Sequence, residues 1–173
     1  MKTKHFLIFV IVTILLSGTA FGEKDNFSVI LKTAKEIIKS SEFTVLITNG
    51  LDGSPSARIM EFFPPDSNWN IFMGTNINSR KVKELSKDSK TSLYYESPEG
   101  NGYTLLKGEA IVITKGEYLK KFWKKGWEQY YGKERRNFAV IRFLTREIEV
   151  VSYKHGLVGD KTTWKAPSVS FSK

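Results

Sequence analysis

From residue 42 onward the chain alternates short β-branched and aromatic runs with compact turn signals, a rhythm that restricts it to a largely antiparallel fold. Residues 42–48 read as a first strand. Asn49-Gly-Leu-Asp-Gly-Ser-Pro55 supplies the chemistry of a hairpin loop, and residues 57–63 return as the partner strand, stopped by Pro64-Pro65. Residues 69–73, 91–95 and 103–114 read as three more strands, with Gly108 as a bulge or bend in the last. Residues 138–144 and 147–153 read as two final strands. Helical periodicity marks three further segments. Phe27, Ile30, Leu31, Ala34, Ile37 and Ile38 share one face of a helix capped by Asp25 or Asn26. A short helix over residues 79–88 turns Val82 and Leu85 inward, and an aromatic helix runs through Tyr118, Phe122, Trp123, Trp127 and Tyr130. Short turns between most strands predict an α+β fold, an antiparallel barrel or closed sheet with flanking helices, rather than a doubly wound parallel sheet. The tail over residues 156–173 is Gly-, Lys- and Thr-rich and is expected to be irregular.

Residues 1–22 have the pattern of a secretory leader. Lys2, Lys4 and His5 precede an apolar run over residues 6–16, and Ala20 and Gly22 are the small residues of a cleavage site. That run is shorter than the ~20 residues a spanning helix needs. The expectation is therefore an exported protein, periplasmic or secreted, with no stable membrane insertion after cleavage, and one domain over residues 23–155.

Composition removes several kinds of chemistry. The chain has no cysteine, which excludes disulfides, thiolate metal sites and cysteine nucleophiles together. His155 is the one histidine beyond the leader, so no His-rich metal centre is expected. A bound organic cofactor is then the natural source of any difficult chemistry. The net charge is +9, or +7 once Lys2 and Lys4 leave with the leader. Much of the excess lies among the aromatic residues of segment 115–136. Such interleaving can serve nucleic acid, but the helical spacing describes a buried aromatic face with lysines on the wet side, and no nucleic-acid partner is expected.

An anion site is suggested where an apolar strand ends in Gly74-Thr75 and the short helix opens with Ser79, Arg80 and Lys81. Cations at a helix N-terminus oppose the helix dipole by roughly 0.3–1 kcal/mol each. Without a carboxylate beside them they point to a bound anion such as phosphate. The alternative is two solvated side chains behind an ordinary cap at Asn78 or Ser79. Arg58 lies mid-strand between apolar residues, where a lone guanidinium is costly. It can join the same anion, or pair with Glu61 or Glu109.

Several motifs occur in order: Gly53-Ser-Pro-Ser-Ala-Arg58-Ile-Met, Trp69-Asn-Ile-Phe-Met-Gly-Thr75, Asn78-Ser-Arg-Lys-Val-Lys-Glu-Leu85, Tyr103-Thr-Leu-Leu-Lys-Gly108-Glu-Ala and Ile148-Glu149. Together they resemble the flavin-binding split-barrel family that includes pyridoxamine-phosphate oxidase, and within it the general stress protein branch. The resemblance implies a predominantly antiparallel split β-barrel and a flavin-dependent oxidoreductase acting on a small-molecule substrate. It implies FMN held at its phosphate by Arg58, Ser79, Arg80 and Lys81. Ile59, Met60, Gly74 and Thr75 would lie near the ring, with Tyr103 as a further contact. It also implies a homodimer with the flavin at the subunit interface. No catalytic acid or base stands out.

The chain departs from the family pattern in three ways. Val150-Val151 stands where a tryptophan often follows the Ile-Glu pair. The Arg- and His-bearing tail of true pyridoxamine-phosphate oxidases is missing, so vitamin B6 synthesis is not expected. Export would also require FMN to be acquired outside the cytoplasm. Two other outcomes stay open: a haem- or flavin-carrying protein without turnover, with His155 as the available haem ligand, and a flavin-free scaffold.

Overall fold

The computed structural model describes residues 20–171, so the leader expected over residues 1–22 lies almost wholly outside the described part. Helix α1 (Ala20–Ser40) runs through Asp25 and Asn26, where a cap was expected, and begins earlier. It buries Ile30, Ala34, Ile37 and Ile38 against the sheet, while Phe27 stays exposed. Among the described residues no helix is long and apolar enough to cross a membrane.

The strands are β1 (Phe43–Asn49), β2 (Pro55–Glu61), β3 (Asn70–Asn76), β4 (Lys90–Glu96), β5 (Tyr103–Ile113), β6 (Phe138–Val151) and β7 (Ser168–Ser170). All pair antiparallel, in the order β2-β1-β4-β5-β6-β3, with β7 added to β6. The fold class expected from the strand-and-turn rhythm is the one observed. The β1–β2 loop is closed by Gly50 N–H donating to Ser54 O at 2.7 Å and Gly53 N–H to Gly50 O at 2.9 Å.

Three local expectations change. The last two strands are one 14-residue strand, because no Pro or Gly interrupts residues 144–147. The change of register lies within it: Lys107 pairs with Glu147 and Gly108 with Thr145, which leaves Arg146 of β6 as the extra residue of a bulge facing Gly108. A side chain at Gly108 would run into the Leu144 carbonyl, so the bend needs a glycine there. The aromatic helix is two four-residue pieces, α3 (Tyr118–Lys121) and α4 (Glu128–Tyr131), separated at Gly126, whose φ is 92°. Helical spacing persists across a break that periodicity alone does not show. The tail also returns to the sheet as β7, placing Val169 in the core.

One residue row explains the architecture. Leu46, Leu93, Leu106 and Ile148 stand side by side across β1, β4, β5 and β6, and all four are fully buried. Each such leucine or isoleucine contributes roughly 1.5–3 kcal/mol by leaving water. The same row continues across β2, where the residue paired with Leu46 is Arg58. A guanidinium thus occupies a core-facing position on an edge strand. The two edges, β2 and β3, are joined by a single bridge, Phe63 to Phe72. Beyond that bridge they part, and α2 (Arg80–Lys87) packs near the opening with Glu84 and Leu85 buried.

Gly108→Ala should destabilise the fold by about 1–3 kcal/mol through overpacking against a fixed carbonyl, read as a lower denaturant midpoint with an unchanged slope. An unchanged midpoint would show that β5 bends without needing the glycine.

Candidate functional site

Arg58 reaches from the β2 edge into the split. Its Nη1 donates to Thr48 Oγ1 at 2.5 Å and its Nη2 to Glu84 Oε2 at 2.6 Å. Thr48 Oγ1 also donates to Glu84 Oε2 at 2.7 Å. Arg80 Nε lies 3.0 Å from Glu84 Oε1, an ion pair one helical turn apart whose N–H is not aligned for a hydrogen bond. Glu84, with its side chain 1% exposed, therefore anchors both arginines. The alternatives considered for Arg58 go elsewhere: Glu61 pairs with Lys124 and Glu109 with Arg146.

Burial raises the Glu84 pKa, but hydrogen bonds from Thr48 and Arg58 and the charges of Arg58 and Arg80 outweigh it, so the carboxyl is held below its usual value. Lys81 is in the opposite situation. Burial, then the neighbouring charge of Arg58 and, more weakly, Arg80, pull its ammonium below the usual value against the opposing effect of Glu84. Among the described residues its ammonium has one hydrogen-bond partner, Thr75 Oγ1 at 3.4 Å, and no carboxylate pairs with it. Ser79 is the N-cap residue of α2, but its hydroxyl makes no capping bond and instead lies 3.3 Å from Thr75 Oγ1. The first turn of α2 holds no acidic residue. Three cations against one carboxylate leave a net charge of +2, which matches a phosphate monoester dianion.

Beside this cluster lies a cavity of about 330 Å³, near the lower end of ligand-binding cavities. Ile59, Met60 and Glu61 line it from β2, Gly74, Thr75 and Asn76 from β3, and Lys81 from α2. The remaining wall is aromatic: Trp127, Tyr130 and Tyr131. A Cβ on Gly74 would overlap the Trp127 ring, so a glycine is needed for that wall to pack on β3. Burial, with a smaller contribution from Glu61, raises the Tyr131 pKa.

Of the residues expected from sequence, Arg58, Ile59, Met60, Gly74, Thr75, Ser79, Arg80 and Lys81 come together at the split. Tyr103 stands apart. Its hydroxyl donates to Glu149 Oε1 at 2.6 Å, its ring stacks on Tyr94 at 5.6 Å, and burial followed by the Glu149 contact pushes its pKa up to about 12. Sequence reasoning missed Glu84, Thr48 and the aromatic wall. The signal for Glu84 was present, four residues after Arg80 and next to the inward Leu85.

His155 uses both ring nitrogens. Nδ1 is 2.9 Å from Ser152 Oγ and Nε2 is 3.1 Å from Glu36 Oε2, so a metal would have to displace one of these partners.

The family model described as pyridoxamine 5'-phosphate oxidase matches residues 30–152. Among solved structures, the chain is similar to a Clostridium acetobutylicum protein related to general stress protein 26, of the pyridoxinephosphate oxidase family. The two are 21% identical over 84% of this chain and 96% of that one, with a TM-score of 0.67. General stress protein 26 of Bacillus anthracis is 18% identical over 69% of this chain and 92% of that one, with a TM-score of 0.60. A heme-binding protein from Mycobacterium smegmatis is 16% identical over 82% of this chain and 57% of that one, with a TM-score of 0.61. At such identities the likeness establishes the fold, a split barrel. No curated protein matches the chain.

Glu84→Gln should cost roughly 3–5 kcal/mol near neutral pH, because two arginines lose their buried partner. Since the folded pKa lies below the unfolded one, the Glu84 contribution is complete above the unfolded carboxyl value of about 4.3 and is lost as pH falls through the folded value. The gap between wild type and variant in denaturation measurements should therefore narrow in acid. A gap independent of pH would remove the ion pair from the account.

Proposed function

Because this chain belongs to the pyridoxamine 5'-phosphate oxidase family, we propose that it is an exported FMN-binding protein that uses the flavin for oxidoreductase chemistry on a small substrate. What carries the reading is the dipositive cluster of Arg58, Arg80, Lys81 and Glu84, whose Lys81 lines a cavity with an aromatic wall. The donor set fits a phosphate dianion. Lys81 supplies a partly desolvated ammonium with no carboxylate partner, and each guanidinium keeps terminal N–H groups beyond those used on Glu84 and Thr48.

When bound, the flavin supplies the hydride or electron transfer. The chain's own residues hold and screen. Arg58, Arg80 and Lys81 bind the phosphate, and Glu84 keeps the two arginines in place. Ile59, Met60 and Trp127 offer apolar surface to a flat ring, while Tyr130, 66% exposed, stands at the outer rim. The one carboxylate lining the cavity, Glu61, is paired with Lys124 at 2.8 Å, so no side chain is assigned as a general acid or base. Export rests on the leader pattern of residues 1–22.

The cavity is open on the side of Ile59, which is 71% exposed, and Ile59 also lines a shallow groove with Phe43, Val45 and Tyr94 on the outer face of the sheet. This apolar face fits a second copy of the chain covering the ring from that side. A haem-carrying role is less well supported, because His155 is engaged at both nitrogens.

Two measurements test the proposal. Lys81→Ala should weaken FMN binding about tenfold or more, as expected for a lost hydrogen bond to a charged group, and leave riboflavin binding nearly unchanged in fluorescence titrations. Equal weakening of both ligands would refute the phosphate assignment. Phe43→Asp should convert a dimer into monomers by light scattering. A wild-type chain that is already monomeric at micromolar concentration would remove the second subunit from the proposal.

A further inference from the structure

A second cavity, of about 400 Å³, lies between the last turns of α1 and the segment that follows β2. It shares no lining residue with the cavity at the split. Its apolar lining is Ile38, Phe62, Pro64 and Pro65. Ile38 and Phe62 are buried core residues, and Phe62 is braced edge-on against Tyr95 at 5.1 Å. The two prolines restrict the backbone of the opposite wall. The walls are therefore set before any ligand arrives.

The rim is charged. Lys35 and Lys39 stand one helical turn apart on α1, where like charges repel. Lys35 Nζ lies over the Trp69 ring, 5.2 Å from its centroid. Neither lysine has an ion-pair partner among the described residues. Lys39 is not needed to cap the Ile37 carbonyl, which accepts from Ser40 Oγ at 2.7 Å and Ser41 Oγ at 2.9 Å. Glu42, also on the rim, leaves two positive charges against one negative. A net charge of +1 over an apolar floor complements a monoanion with an apolar body. It differs from the +2 of the cluster at the split.

We propose that this cavity binds a small amphipathic monocarboxylate of the medium-chain fatty-acid type, with its tail on Ile38, Phe62 and the two prolines and its carboxylate between Lys35 and Lys39. The site does not depend on flavin, and FMN binding serves as an independent control on the same samples.

The experiment is a calorimetric titration of the full chain with decanoate, decanol and decyltrimethylammonium, all below their aggregation limits. Decanoate should bind saturably at one per chain, decanol more weakly, and the cation not at all. The double variant Lys35→Gln/Lys39→Gln should lose on the order of fivefold in decanoate affinity, the scale of two exposed ion pairs. Its decanol and FMN binding should be unchanged. Absence of saturable decanoate binding, equal affinity for decanoate and decanol, or full decanoate affinity in the double variant would each overturn the proposal.

Discussion

A guanidinium occupies a place in the sheet where the register calls for an apolar residue, and the surrounding structure follows from how that charge is satisfied. Arg58 continues the row of Leu46, Leu93, Leu106 and Ile148. Desolvating an unpaired guanidinium there would cost more than the neighbouring leucines contribute. Glu84 resolves the conflict from α2, and Thr48 completes the triangle from β1. Buried ion pairs give little net stability relative to an apolar core, but they penalise every arrangement that separates the partners. The pair therefore specifies where α2 sits against the β1–β2 edge.

The same pair stands beside the open side of the barrel. Strands β2 and β3 are free edges that meet at one bridge, and unpaired edges invite association with other chains. Here the gap is bordered by α2 on one side and by the aromatic segment around α4 on the other. Phe72, Phe122, Trp127, Phe138 and Val140 form a second small core that fixes that segment. Gly74 is the point of closest approach, where β3 carries no side chain and the Trp127 ring takes the space. A cavity between two strand edges is thus a by-product of declining to close the sheet. Its polar end is supplied by the cations that Glu84 gathers.

Charge then separates the two cavities. One is lined by Lys81, which belongs to a cluster of three cations around a buried carboxylate, the other by two surface lysines and an exposed carboxylate. The first suits a compact dianion held by fixed donors, and the second suits a single negative charge on an apolar body. Their walls differ in the same sense: strand edges and aromatic rings at the split, and a helix face with prolines at the other.

Strand positions, the hairpin after β1, the short helix opening with Arg80 and Lys81, and the bend at Gly108 were all legible in the chain, because each depends on residues within a few positions of one another. The cationic character of the site was legible for the same reason. The identity of Arg58's partner was not, since Glu84 lies 26 residues away and meets Arg58 only after β1, β2 and α2 have packed. Nor was the continuity of β6, because a strand that changes partners along its length shows no local mark of the change. The break at Gly126 hid behind aromatic spacing that survives it, and Tyr103 lies outside the cluster within one chain, stacked on Tyr94 beside the groove that Ile59 lines. Sequence alone determined most of the elements and the charges they carry. Tertiary structure decided which of those charges meet, because pairing across a sheet depends on register and strand order, which no short-range pattern encodes.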